Sequence, residues 1–330
     1  MKKQIFAGLI SLSFLLASCG QVTQNFSNLP YLNNIYTQSS LISKSNVQSD
    51  WFTQLRPDLQ NYYAPAKGKT GAELFDALHK IIEANNKIIS YSDSKSFMYA
   101  VADNITVNSK PGVIDAYSQI FVSGSGGNGN SYKESGDANK DGIANDFINC
   151  EHTWPQSFFN KKLPMVADLH HLQSTLSVPN GKRGSFPFGM AQGSIVYSNI
   201  GGAKLSVVGN TAGIKTMLEL PYDEDSQIMD KTFDAVFEPP DAQKGNTARA
   251  MLYFYLRYYD QNIGQGGFNK NKFWVSKLPN FINWAEQVDP VDDLEIKRND
   301  IILKKQNNRN PFIDIPKLGT LIGENVLESR

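Results

Sequence analysis

Cysteine and histidine are the scarce residues of this chain. Only two cysteines, Cys19 and Cys150, and four histidines occur among 330 residues. So few cysteines exclude a disulfide-stapled scaffold, and the spaced Cys/His pairs of a structural zinc site are absent. Net charge is missing as well: 32 basic residues balance 32 acidic ones, so composition does not point to nucleic acid or a membrane surface, and any polyanion contact must come from a local patch. No HExxH, GxSxG or Walker A motif occurs. Gly124, Gly126 and Gly129 have the spacing of a dinucleotide-binding loop, but no helix pattern follows them. Internal repeats and a second hydrophobic span are lacking too. The apolar fraction of 41% is nonetheless enough to build a real core.

What is there is concentrated between residues 149 and 184. Three of the four histidines, His152, His170 and His171, fall in this window, with Cys150, the acids Glu151 and Asp168, and the pair Asn180 and Arg183. Histidine titrates near neutral pH and ligates metals. Histidines gathered beside carboxylates in a histidine-poor chain point to a reaction centre; the alternative is a chance cluster of packed or surface histidines. The fourth, His79, lies beside an apolar stripe and reads as a surface or boundary residue.

At the front, Met1-Lys-Lys precedes a short apolar run, Ile5 to Leu16, and then Leu16-Ala-Ser-Cys19. This looks like a bacterial lipoprotein signal, which implies cleavage before Cys19 and an acylated Cys19 holding the protein on a membrane. Residues 1–18 are then a signal peptide, 19–50 a flexible Ser/Asn/Gln-rich tether, and 51–330 the folded domain. An acylated Cys19 leaves Cys150 without a disulfide partner. Cys150 reads as a packed small residue, with a nucleophile as the minor alternative.

Along the chain, Gly71 to Ile89 has the apolar spacing of an amphipathic helix. Residues 97–122 read as strand, and 186–208 as hairpins. Asp137, Asn139 and Asp141, followed by Gly142, match the first half of a calcium loop. Ile148 stands where the closing Glu belongs, with Asp146 as a substitute; a hydrated turn is the equal alternative. Ala248 to Tyr258 is apolar on nearly all sides and predicts a buried helix. Its Arg249 needs a partner, either a structural salt bridge or the site itself. Residues 281–297 and 300–305 read as helices.

The chemistry these residues fit is metal-assisted phosphodiester cleavage. It needs a base for water, a hard cation on the phosphate and a positive group near the leaving oxygen. Histidine suits the base. Glu151 and Asn180 offer oxygen ligands to a magnesium ion, which keeps most of its waters. Asn180 and Arg183 share a face of a short helix, which tolerates Pro179 in its first turn and ends at Gly184. A strand bearing the base, a second strand Asp168-Leu-His-His-Leu172 and this helix make a ββα unit. Glu151 and His152 are neighbours, so both reach one centre only if the strand ends there; Pro155 is consistent with such an end.

At these residues the chain resembles the bacterial endonuclease I family of ββα-metal (His-Me finger) nucleases. The match runs through Asn149-Cys-Glu-His-Thr-Trp-Pro-Gln-Ser157, Asp168-Leu-His-His-Leu172, Asn180-Gly-Lys-Arg183, Pro187-Phe-Gly189, Phe237-Glu-Pro-Pro-Asp241, Lys244-Gly-Asn-Thr-Ala-Arg249-Ala and Arg309-Asn-Pro-Phe-Ile-Asp314. Gln173-Ser-Thr175 stands where relatives often show a Pro-Thr run. The resemblance implies an α+β fold with a central ββα-metal motif packed among several helices. It implies His152 as general base, Glu151 and Asn180 as magnesium ligands (manganese or calcium being alternatives), and Arg183 or Arg249 as stabiliser of the transition-state charge. His171 and Asp168 would support the site, and His170 would be packed. The implied substrate is DNA, with RNA as a further one, cut with little sequence preference to 5′-phosphate ends. Lys161, Lys162, Lys182 and Arg183 could grip the phosphates. The protein would be exported, either anchored through Cys19 on a membrane facing the periplasm or the outside, or secreted, with no protein partner. The alternatives are a catalytically inactive surface lipoprotein that binds nucleic acid or another polymer, and a calcium-stabilised structural lipoprotein.

Overall fold

Alternating and amphipathic stretches become short elements here, because local side-chain bonds interrupt them. The computed structural model describes residues 51–84, 86–209, 234–266 and 268–330. The expected signal, Cys19 and the tether lie outside these residues. The helices are α1 (Pro57–Tyr63), α2 (Gly71–Ala84), α3 (Tyr91–Phe97), α4 (Ser177–Arg183), α5 (Asp241–Tyr258), α6 (Lys270–Phe273), α7 (Leu278–Asn283), α8 (Asp293–Gln306), α9 (Pro311–Asp314), α10 (Leu318–Ile322) and α11 (Glu324–Ser329). The strands are β1 (Ile105–Val107), β2 (Lys110–Ile114), β3 (Phe121–Ser123), β4 (Ile148–His152), β5 (Leu172–Leu176), β6 (Ser194–Ser198), β7 (Lys204–Val208) and β8 (Asp234–Glu238). They pair antiparallel as β1-β2-β3, β4-β5 and β6-β7-β8. This is the expected α+β fold.

Three expectations need correction. Residues 97–122 are not one strand: Met98–Ala102 continues α3 as a π turn, and β1 to β3 follow. The stretch 116–119 is a turn, because the buried Asp115 carboxylate accepts the N–H groups of Tyr117 (3.3 Å) and Ser118 (2.7 Å). Helix α2 stops at Ala84 rather than Ile89; the backbone then docks elsewhere, with Lys87 N–H donating to Gln306 O at 2.8 Å. The C-terminal helical region divides between Asp289 and Asp292, around Pro290, and α8 then runs unbroken through Ile302, capped by Asp292 on Glu295 N at 2.8 Å.

Helix α5 is the spine of the core. It is buried on almost every side, as its sequence predicts. Trp154, just past β4, stacks on Phe254 of α5 at 5.1 Å and 16°. The Asp168 carboxylate fastens this spine to the segment before β5. It accepts from the hydroxyls of Tyr253 and Tyr258 (2.8 Å each), Gln306 Nε2 (2.7 Å) and His170 N–H (3.0 Å).

Four buried donors lose their acceptor if Asp168 is truncated. Asp168→Ala is therefore expected to lower unfolding stability by about 3 kcal/mol or more, measured by urea denaturation. A loss under 1 kcal/mol, of the size typical of a surface site, would contradict the hub.

Candidate active site

The site forms where β4 ends. Its ladder with β5 pairs Cys150 with Ser174, Glu151 with Gln173 and His152 with Leu172. The second strand is therefore Leu172–Leu176, not the segment Asp168 to Leu172. That segment is held as a turn by its own bonds, since Asp168 accepts His170 N–H through its side chain and His171 N–H through its carbonyl. Helix α4 follows β5 at once, with Asn180 and Arg183 both buried on it. A ββα unit is present, and Thr153 and Trp154 turn the chain into Pro155 directly after His152.

Arg183 binds the unit together. It is 1% exposed. Nη1 lies 2.8 Å from Glu151 Oε1 and donates to His152 O at 2.8 Å, while Nη2 donates to Thr153 O at 2.6 Å. Its plane sits over Phe188, 4.2 Å from the ring centroid. These bonds make the arginine a clamp on the strand end, with Nε the donor they leave unused. Asn180 Nδ2 donates to Cys150 O at 3.2 Å, which commits the amino group and leaves Oδ1 as the acceptor of this side chain.

Glu151 and His152 have different neighbours, as strand alternation demands. Glu151 is 2% exposed and meets Arg183. Burial pushes its carboxyl up to about 7 against the pull of Arg183 and of Tyr117, whose hydroxyl approaches without completing a hydrogen bond. Its Oε1 is likewise buried with no formed hydrogen bond. His152 is 5% exposed, and its Nε2 lies 3.1 Å from Val166 O. A carbonyl only accepts, so the proton sits on Nε2 and Nδ1 keeps its lone pair. Burial, with the neighbouring His171, lowers its pKa to about 3. The ring is therefore neutral at physiological pH.

His171 packs edge-on to His152 at 5.4 Å and donates from Nε2 to Met165 O at 2.7 Å. Its contact with the site is through the imidazole of His152. His170 is packed, as expected, with Nε2 on Asn308 O at 3.2 Å. His79 is buried too, and bonds Leu256 O at 2.9 Å. Cys150 is buried and its thiol is pushed well up by burial, so it offers no thiolate at neutral pH.

Arg249 stands apart from this unit. All five of its N–H donors have acceptors, namely both Glu295 oxygens, the Ala285 and Asp289 carbonyls and Asn246 Oδ1. Of the two readings its sequence left open, the structure shows the buried salt bridge. The guanidinium has no donor left for a phosphate.

The Asp137 loop is a self-bonded turn. Asp137 accepts the N–H groups of Asp141 (3.0 Å) and Gly142 (3.2 Å), and Asn139 Oδ1 accepts that of Asp141 at 3.0 Å. Asp141 accepts from Ile143 N and Asn139 Nδ2. Asp146 does not replace the missing Glu: its carboxylate is taken by Phe147 N (2.8 Å), the Ser177 hydroxyl and Val178 N (2.8 Å), and so it anchors the start of α4. Among the described residues, no three His, Cys, Asp or Glu side chains gather into a metal cluster. A magnesium site would rest on one carboxylate and one amide, a set that ion accepts because it retains water. The buried Glu151 carboxylate, paired with Arg183 but with no completed hydrogen bond at Oε1, is the oxygen donor that would face a cation.

Sequence reasoning missed Tyr117, and it assigned Asp146 to a calcium loop rather than to the start of α4. Tyr117 carries no motif, and only the Asp115 turn brings it to Glu151.

Comparison with known proteins points to one family of nucleases. The family model for Endonuclease I matches residues 70–317. An extracellular ribonuclease of Bacillus amyloliquefaciens is 31% identical over 269 residues, 79% of this chain and 77% of the relative. The extracellular ribonuclease of Bacillus subtilis (strain 168) is 31% identical over 270 residues, with the same coverage.

The state of His152 is directly observable. In metal-free protein labelled with nitrogen-15 in histidine, its ring is expected as the neutral Nε2–H tautomer at pH 6, because its pKa of about 3 lies far below. An imidazolium signal, or the Nδ1–H tautomer, would contradict the geometry.

Proposed function

We propose, from the premise that this chain belongs to the endonuclease I family and is a nuclease, that it hydrolyses phosphodiester bonds of RNA and DNA with little sequence preference, leaving 5′-phosphates. The observation that carries this reading is His152. It is a neutral imidazole whose Nε2 proton is fixed by Val166 O, on the last residue of β4 and next in sequence to Glu151.

In this reading Nδ1 of His152 takes the proton from the attacking water, and His171 packs the ring in place. Glu151 and Asn180 hold a magnesium ion, for which manganese or calcium could substitute. When bound, the ion polarises the phosphate and offsets charge on the leaving oxygen. Arg183 is a positioning residue: it holds the Glu151 carboxylate and the two carbonyls that set where the strand ends. Low dielectric around these buried groups strengthens their effect on a bound phosphate.

RNA stands beside DNA because both relatives are named extracellular ribonucleases. Exposed Lys161 and Lys162 offer charge to any phosphate backbone, whatever its sequence. The relatives' extracellular location and the Cys19 signal support export, with lipid at Cys19 as anchor. No helix among the described residues is long and apolar enough to cross a membrane. A surface lipoprotein that binds nucleic acid without cutting it is the competing reading, and one assay separates the two.

With magnesium, the full chain is expected to degrade both single-stranded RNA and plasmid DNA, and EDTA to stop it. His152→Ala, folded by circular dichroism, should lose at least about a hundredfold in rate, the usual share of a general base. Cutting at the normal rate by that variant would refute the assigned base. Binding without cutting by the wild type would favour the inactive lipoprotein.

A further inference from the structure

A cavity of about 290 Å³ lies along β5, with Gln173 and Ser174 in its wall. Gln173, which lines it, is the ladder partner of Glu151. Directly paired residues project to the same side of a sheet, with Cβ atoms about 5 Å apart. Ala116, also in the wall, precedes the Tyr117 whose hydroxyl approaches Glu151. The cavity therefore begins one side chain away from the proposed metal ligand.

Its chemistry is unlike that of a phosphate site. Ile105, Ile114 and Leu294 supply apolar wall. Four carboxylates border it, Asp103, Asp289, Asp292 and Glu295, against only Lys297 and Arg298. Several are already engaged: Asp103 by Arg298 (2.7 Å) and Ser174, Glu295 by Arg249, Asp289 by the N–H of Gly245 (2.9 Å). Such a border repels an anion and admits a neutral, flat, hydrogen-bonding group. Across the cavity Gln243 Nε2 donates to Gln173 Oε1 at 3.1 Å. That bond uses one donor and one acceptor, and leaves the Gln173 amino group and the Gln243 carbonyl oxygen as a donor beside an acceptor.

We propose, on the nuclease reading above, that this cavity is a nucleobase subsite: it receives the base of a nucleotide next to the scissile phosphate, hydrogen-bonded by Gln173 and Gln243 and covered by the apolar wall. Every base carries a donor adjacent to an acceptor on its pairing edge, so the subsite admits any of them, in keeping with low sequence preference. A paired base has that edge occupied and is held in the stack. The subsite therefore favours unpaired nucleotides, and the enzyme prefers single strands to duplex.

Two measurements on the full chain test this. The first titrates adenosine into metal-free protein and follows the side-chain amide signals of Gln173 and Gln243 by NMR; both pairs are expected to shift with a common saturation curve. The second compares single-stranded and duplex forms of one oligonucleotide in magnesium. The wild type should show a lower KM on the single strand. Gln243→Leu and Gln173→Ala should each raise that KM about tenfold, the value of a lost hydrogen bond to a base, and bring the single-strand to duplex ratio of kcat/KM toward one. Silent amide signals, or an unaltered ratio in both variants, would overturn the subsite. Failure of the wild type to cut either form would instead remove the nuclease reading, while the adenosine titration would still report on the cavity.

Discussion

A buried guanidinium holds this structure's chemistry in place. Arg183 reaches from α4 to the last residues of β4 and meets one carboxylate and two carbonyls there. An isolated charge at 1% exposure would be costly; here its ion pair with the carboxylate, its hydrogen bonds to the carbonyls and its position over Phe188 offset the desolvation. The consequence is geometric. The strand that carries Glu151 and His152 cannot move independently of the helical turn that carries Asn180. The side chains that flank the strand end differ in electrical character: Glu151 is a carboxyl with a raised pKa, and His152 an imidazole with a lowered one, both driven first by burial. Burial thus disfavours the charged form of both: it works against the Glu151 carboxylate that Arg183 pairs, and it holds His152 as a neutral ring.

Around this clamp stands a set of buried carboxylates that do structural work. Asp115 pins the turn bearing Tyr117 and bonds the start of β5's exit through Thr175 and Leu176 N. Asp146 anchors the first turn of α4, where Leu176 at the N-cap has no side-chain oxygen of its own to offer. Asp168 joins the segment before β5 to α5 and α8. All three are acidic; Asp146 and Asp168 lie beside or within the motif window, and Asp115 well before it. Their chemistry alone does not distinguish them from metal ligands; the donors they meet do.

The unit's main parts were legible in the sequence. Asn180 and Arg183 on one helical turn, Gly184 at its end and a strand stopping before Pro155 all follow from spacing and backbone rules, and the structure has them. The buried α5 also follows from its unbroken apolar character. What was not legible depended on long-range contacts. Arg249 carried two readings until Glu295, 46 residues away, took its charge. The second strand begins at Leu172, four residues later than its apolar pattern predicts, because the Asp168 turn competes locally with strand pairing. Tyr117 reached Glu151 through a turn that no periodicity announces.

The account stands or falls on whether the end of β4 holds the metal. Anomalous diffraction from crystals of the protein grown with manganese measures this directly. The expected result is one strong peak between the Glu151 carboxylate and Asn180 Oδ1, with His152 Nδ1 outside the coordination shell. A site bare of manganese there, with the peak instead in the Asp137 turn, would contradict it.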